Sequence, residues 1–482
     1  MQFETVIGLE VHVQLNTESK LFCGCSTQFG ALPNTQVCPV CLGFPGVLPV
    51  LNEKAMTYAV MTGLSVGSEI SLFSKFDRKN YFYPDLPKAY QISQYDKPIC
   101  IGGKISIHLE GVQKDIQLTR IHLEEDAGKS NHFDGDSGVD YNRTGIPLIE
   151  IVSEPDIRSP QEAHEYLRSL KMILEYLKVS DCNMEEGSLR CDANISLRPM
   201  GEKKFGTKAE IKNLNSFRNV EKALEYEIER QTQILKEGGR VVQETRLWSV
   251  EEGLTRSMRS KEEAHDYRYF PEPDLLPMQI TKEDIEKLRR ELPELPVARK
   301  ERFMNEYGLP DYDAGVLTAD RNLADFYETA AQKSKNSKAV GNWMMGDLLR
   351  ELNAQNIPIQ KSPVSPQHIA ELVDLIEAGT VSGKMGKDIF VDMFKSRNSP
   401  QEIVKAKGLV QLTDETQIMD AVQKAIQENT KSVQDYLSGK KTALTYLVGQ
   451  VMKVTKGRAS PKMVNELLAK ELDRMSASQG KV

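Results

Sequence analysis

Two hydrophobic periodicities divide the chain. Segments in which every other residue is apolar recur at Ile7–Leu15, Lys104–Leu109, Ile116–Leu123, Leu148–Val152, Leu189–Arg198 and Thr207–Lys212. A period of two sends successive side chains to opposite faces and predicts half-buried strands. Between them, Ser159-Pro160-Gln161-Glu162 has the form of a capping box with proline at the first helical position. Tyr166, Leu167, Leu170, Ile173, Leu174 and Leu177 follow it at helical spacing. A second helix is predicted over Val220–Leu235. Pro271, Pro273, Pro277, Pro293 and Pro296 then cluster. Proline fixes the backbone and removes a donor, so this stretch reads as a boundary. Beyond it the pattern is helical: Ser365-Pro366, Ser399-Pro400-Gln401-Glu402 and Ser460-Pro461 are start signals, and Gly379 and Gly408 are stops. The expected fold class is α+β. A mixed or antiparallel sheet domain should cover 1–292, an all-α domain 293–407, and a small helical tail domain 408–482.

The strands carry unusual polar faces. In the first, Ile7, Leu9, Val11, Val13 and Leu15 share the apolar side, and Gly8, Glu10, His12 and Gln14 the other. In Leu189–Arg198, Arg190, Asp192, Asn194, Ser196 and Arg198 lie opposite an apolar set; Lys208, Glu210 and Lys212 repeat the arrangement. A half-solvated antiparallel sheet alternates in the same way for packing reasons alone. Residue type separates the two readings, because Glu, Asp and Lys are disfavoured in strands. Acids and a histidine on facing strands suit a divalent cation, and oxygen-rich sets suit Mg²⁺. Glu124, Glu125 and Asp126 end one strand in an acidic turn. Glu150 stands alone in the apolar run Pro147–Val152, where a carboxylate is costly unless it is paired or metal-bound.

Charge adds a second theme. The chain has a net charge of −7, yet Thr430–Val482 holds ten Lys/Arg against four Asp/Glu. Lys440, Lys441, Lys453, Lys456, Arg458 and Lys462 fall in a stretch without acids. Such a run fits a polyanion partner or a solvated helical face equally well. The segments Arg78–Asp85 and Lys88–Gln94 interleave cations with aromatics, a combination that grips phosphates and stacks bases, or that builds an aromatic cluster under surface cations. Glycine-rich phosphate loops are missing, so any nucleotide is held another way. No apolar run is long enough to span a bilayer, and the N-terminus has no secretory pattern; a cytoplasmic protein is expected.

Cys23, Cys25, Cys38 and Cys41 form C-x-C-x₁₂-C-x₂-C. Two knuckles at that separation predict a closed, structural Cys₄ zinc site. The other three cysteines read as core residues.

Several long motifs resemble the GatB/GatE family, the B subunits of bacterial aspartyl/glutamyl-tRNA(Asn/Gln) amidotransferases. They are Val6–His12, Phe76–Asp85, His122–Lys129, Pro147–Pro155, Met184–Asp192, Lys212–Ser216 and Asp266–Pro273, with Val448–Lys453 in the tail. The resemblance implies a cradle-shaped N-terminal domain that uses ATP to phosphorylate the side-chain carboxylate of Glu-tRNA(Gln) or Asp-tRNA(Asn). Ammonia from a separate glutaminase subunit then displaces the phosphate, which makes the enzyme an ATP-dependent carbon–nitrogen ligase with glutamine as amide donor. It implies a heterotrimer with that amidase subunit and a small C subunit, and tRNA contacts from the helical and tail domains. It also implies Mg²⁺ ligands at His12, Glu125 and Glu150. Glu10, Asp192 and Lys79 are then the candidate catalytic groups, and Lys88, Tyr81 and Lys212 the candidates for holding the nucleotide. The alternative is a tRNA-binding scaffold whose chemistry belongs to its partners.

Overall fold

The computed structural model describes residues 2–133, 135–260, 267–408, 415–455, 459 and 461–479. Ten strands and eight helices matter here. The strands are β1 (Phe3–Gln14), β2 (Asp77–Asn80), β3 (Tyr90–Ser93), β4 (Lys104–Leu109), β5 (Val112–Glu125), β6 (Pro147–Ser153), β7 (Leu189–Pro199), β8 (Ala209–Leu214), β9 (Glu244–Ser249) and β10 (Leu254–Ser260). The helices are α1 (Glu53–Ser65), α2 (Pro160–Leu177), α3 (Phe217–Lys236), α4 (Pro366–Glu377), α5 (Pro400–Lys407), α6 (Glu415–Glu428), α7 (Thr442–Val454) and α8 (Pro461–Gln479).

The main sheet runs β10-β9-β8-β7-β1-β6-β5 and continues through the short strands Cys100–Ile101 and Glu69–Ile70, with β4 paired separately to β5. Every described pairing in it is antiparallel except β8 with β9. The sheet is thus α+β in character, as the alternating segments predict. The period-two pattern sorts β1 cleanly. Ile7, Leu9, Val11 and Val13 are 0–1% exposed, whereas Gly8, Glu10, His12 and Gln14 are only half-buried. Helices α1, α2 and α3 supply much of the cover over the apolar side, with Leu167, Leu170, Leu174, Val220 and Leu224 fully buried in the same cluster. The polar side is left for chemistry.

Helix starts follow the capping chemistry. Ser159 Oγ accepts from Glu162 N at 3.1 Å, while the Glu162 carboxylate accepts from Arg158 N, one residue before the cap. Ser399 and Glu402 make the full reciprocal box, and Gly408 closes α5 in the left-handed conformation at φ 58°. The second predicted helix begins three residues earlier than its apolar pattern suggests, because Ser216 caps it through Asn219 N.

The chain separates into two compact units, Met1–Pro296 and Val297–Val482. The second unit is helical among its described residues and holds two separate hydrophobic clusters. One spans residues 303–404 and the other 418–472. Ser460, the expected cap of α8, and Lys456 and Arg458 of the basic run lie outside the described residues. No described helix is long and apolar enough to cross a membrane.

Candidate metal centre on the polar face of the sheet

Sheet register assembles the site. His12 on β1 stands opposite Arg190 on β7 and Glu150 on β6, and Glu150 stands opposite His122 on β5. This gives one continuous row, Arg190–His12–Glu150–His122, across four strands. The next row is Gln14–Leu148–Glu124. Side chains of adjacent rows on one face stand about 6.5–7 Å apart along a strand, so Glu124 reaches the same spot. His12 Nε2 lies 3.4 Å from Glu124 Oε1 and 3.7 Å from Glu150 Oε2. Ligand-type atoms of His12, Glu124 and Glu150 all fall within 4.8 Å of one another.

His122 closes the group from the other side. Its Nε2 is 3.1 Å from Glu150 Oε2 and 3.6 Å from Glu124 Oε2, and its Nδ1 is buried without a hydrogen-bond partner. Burial lowers the imidazole pKa, but the two carboxylates outweigh it and raise it to about 9. Burial would raise both carboxyls; the hydrogen bond from His122 and its positive charge hold Glu124 and Glu150 below the usual carboxylate range. Lys79 on β2 adds a cation. Its Nζ lies 4.9 Å above the Tyr267 ring and 5.8 Å from that of Tyr81, and burial is outweighed by Glu124, Tyr269, Tyr267 and Glu150, which keep it charged.

The expectation that Glu125 joins His12 and Glu150 is not met. Glu125 is 2% exposed and turns to the opposite face of β5, where it pairs with Lys88 and accepts from Ile92 N at 2.9 Å. Glu124 occupies the place instead. Lys88 is therefore bound up at Glu125 rather than brought to the cluster. It helps to line a separate cavity of about 200 Å³ with Lys20, Phe22, Cys41 and Tyr90. Tyr81 stays near Lys79, with its hydroxyl 3.5 Å from Gln91 Oε1.

The other expected residues form a second polar group one row along. Glu10 stands opposite Asp192, and its Oε1 accepts from Asn194 Nδ2 at 2.9 Å. Burial and then the Glu150 charge raise its carboxyl above the ordinary range. Lys212 bridges Asp192 and Glu210, the latter at 3.1 Å. Burial disfavours its ammonium, but the two carboxylates prevail and raise its pKa. Sequence reasoning missed Glu124, His122 and the forked pair of Arg190 with Asp126, whose two bonds are both 3.0 Å. The signal was present for the first two: His122 and Glu124 alternate with Ile121, Leu123 and Glu125, which places them on the polar side.

The cysteines also meet. Cys23, Cys25, Cys38 and Cys41 are free thiols whose Sγ atoms lie within 4.8 Å of one another. Cys38 N donates to Cys41 Sγ at 3.2 Å, and the fully buried Lys20 Nζ stands 3.6 Å from the same sulfur. The hydrogen bond from Cys23 draws Cys41 down to about 4, against burial, with help from Cys38 and Lys20. Burial pushes Cys25 up to about 11. Four soft donors from two knuckles, one already favouring the thiolate, fit a tetrahedral zinc ion.

Residues 5–286 match the family described as GatB/GatE catalytic domain, and residues 325–472 match the one described as GatB domain. Among similar proteins are those named as the B subunit of aspartyl/glutamyl-tRNA(Asn/Gln) amidotransferase from Carboxydothermus hydrogenoformans and from Caldanaerobacter subterraneus. Each is 57% identical, over 480 and 475 residues respectively. The protein of that name from Moorella thermoacetica is 55% identical over 476 residues. In all three cases the match covers 98% of this chain and 100% of the relative.

Proposed function

The chain belongs to the GatB/GatE family, and from that premise we propose that it is the activating subunit of a tRNA-dependent amidotransferase. The substrates are Glu-tRNA(Gln), Asp-tRNA(Asn) or both. An oxygen of the side-chain carboxylate attacks the terminal phosphorus of ATP, ADP leaves, and an acyl phosphate remains. Ammonia attacks the carbonyl carbon, the nitrogen gives up a proton, and phosphate departs. Activation is needed because a free carboxylate would have to expel oxide. The observation that carries this reading is the His12–Glu124–Glu150 cluster beside Lys79 on one face of the sheet.

Those three residues would hold Mg²⁺, which offsets charge on the transferring phosphoryl group. The chain's own groups do the rest. Lys79 offers a fixed cation to phosphate oxygens. Arg190, Asp126 and Gln14 brace the row beside His12. Glu10 and Asp192 stand opposite each other one row away. The site singles out no nucleophilic Ser or Cys, and the proposed chemistry needs none. The glutaminase that releases ammonia is a separate subunit in this reading, with a small C subunit completing the heterotrimer.

In the reconstituted complex, Glu150→Gln should lower ATP-dependent amidation by about 100-fold or more, since one ligand and one charge are lost. Glutaminase activity should persist. Wild-type amidation by that variant would sink the proposal. The Cys₄ cluster is proposed as a structural zinc site on its donor set and geometry. One equivalent of zinc should co-purify, and Cys38→Ser should lose it and melt at lower temperature. A metal-free wild type of undiminished stability would count against zinc.

A further inference from the structure

The lysines of the sheet unit near the cluster are held in two ways. Lys75 pairs with Asp77 and Asp96, Lys88 with Glu125, and Lys212 with Asp192 and Glu210. Each of these ammonium groups spends N–H donors on carboxylates. Lys79 on β2 makes no ion pair and no side-chain hydrogen bond among the described residues. Ring faces hold it instead, with Nζ 4.9 Å from the centroid of Tyr267 and 5.8 Å from that of Tyr81. An aromatic face attracts a cation through its quadrupole. A carboxylate would neutralise the ammonium and occupy some of its three N–H donors. A ring orients it and leaves those donors for the oxygens of a ligand.

Tyr81 arrives with Lys79, two residues along the chain. Tyr267 has to be brought from far away in sequence, and the fold fastens it on both sides. Phe270 and Pro271 pair with Arg78 and Asp77, adding a third strand to β2 and β3. Asn80 N donates to Tyr267 O at 3.0 Å. Asn80 Nδ2 donates to Tyr267 O at 3.1 Å and to Arg268 O at 2.8 Å. Between those contacts Arg268 stands in the left-handed region at φ 42°, which bulky residues rarely adopt. Beyond it, the Glu272 carboxylate is fully buried and accepts a forked pair from Arg78 at 2.7 and 2.8 Å. The Arg78 guanidinium lies in turn 4.2 Å from the centroid of the Tyr90 ring. Tyr269 stacks on Tyr95, with centroids 4.2 Å apart and planes 9° from parallel. A strained residue persists only where its surroundings over-determine it, and such places cluster at functional sites. What this turn presents is the Tyr267 ring, edge-on to Tyr81 at 6.0 Å and against the Lys79 ammonium.

We propose that Tyr267 is a positioning residue for the reaction: its ring face holds the Lys79 ammonium at the His12–Glu124–Glu150 cluster without taking up the N–H donors that meet phosphate oxygens. The inference rests on the reading of Lys79 as the cation that faces the transferring phosphoryl group.

The test uses the whole complex with ammonium chloride as nitrogen donor, so that the glutaminase step is bypassed. It reads kcat/KM for ATP in amidation of whichever misacylated tRNA the wild type accepts. Tyr267→Leu removes the ring and should lower this value about ten-fold. Tyr267→Phe returns the ring face and should restore most of it. The same phenylalanine carrying three fluorines, introduced by amber suppression, keeps the ring's shape and withdraws charge from its face. It should lose about five-fold against Tyr267→Phe, because a cation–π contact follows the face charge and packing does not. Equal values for the plain and the fluorinated ring overturn the inference, and they decide it even where Tyr267→Leu fails to assemble. Lys79→Met separates the two readings. Wild-type amidation by that variant means that Lys79 is not the phosphoryl cation, and the wider reading fails. Lost amidation there, with the fluorinated ring matching the plain one, sinks the role of Tyr267 alone.

Discussion

At the scale of single residues, one step of register separates a candidate ligand from a buried ion pair. Glu124 and Glu125 are neighbours of one chemical type. β5 sends the first to the polar face, within reach of His12, and the second under the hairpin of β2 and β3. Alternation read strictly from His122 puts Glu124 beside His12; the family resemblance names its neighbour, Glu125. The two positions should behave differently on amide replacement. Glu124→Gln should weaken Mn²⁺ binding in the nucleotide-free complex by about ten-fold or more while the fold is kept, because a charged ligand oxygen is lost. Glu125→Gln should cost about 3–5 kcal/mol of unfolding free energy, because it leaves the buried Lys88 charge without its partner. Titration with Mn²⁺ alongside denaturant unfolding checks both, and the reverse pattern would return the ligand role to Glu125.

At the scale of elements, what ties α3 to the sheet is a buried charge network rather than its apolar stripe alone. Glu227 is fully buried in α3, bonded by Arg230 Nη2 at 2.8 Å, with Arg246 Nε of β9 at 2.9 Å and Thr255 of β10 close by. Burial would raise this carboxyl; the bonds from Arg230, Thr255 and Gln231 prevail and hold it below its ordinary value of 4.5. A depressed carboxylate stabilises the fold fully above the unfolded value and loses that contribution as the pH falls through the folded value. Glu227→Gln should therefore cost about 3–5 kcal/mol at pH 7. Its gap from wild type should shrink progressively below about pH 4.5. Denaturant unfolding between pH 3 and pH 7 reads this, and a gap independent of pH would exclude the charge as its cause. The caps at Ser159 and Ser399 were legible beforehand, since each bond is local in sequence. The network at Glu227 was not, because its partners come from strands up to 28 residues away.

At the scale of the whole molecule, three hydrophobic clusters among the described residues set the organisation. The sheet unit has one, and the helical unit has one on each side of Gly408. The tail from 418 packs about its own cluster, so removal past residue 408 should leave the other two intact. Lys440 is already paired with Asp435 at 2.9 Å, whereas Lys441 and Lys453 are exposed. The truncated complex should keep amidation at saturating tRNA, need about ten-fold more tRNA, and lose affinity less steeply with salt, as expected when phosphate contacts go. Loss of all amidation at saturating tRNA would instead make the tail part of the chemistry. The sequence by itself determined the strand faces, the capped helix starts and the pairing of the cysteine knuckles. Each depends on periodicity or on contacts a few residues long. Tertiary structure alone decided what those faces meet. It chose the order in which distant strands lie side by side, and with it the row Arg190–His12–Glu150–His122. It turned Lys88 to Glu125, and it laid Tyr267 against Lys79. Side-chain alternation tells a residue which way to point, but only the pairing of strands tells it what is there.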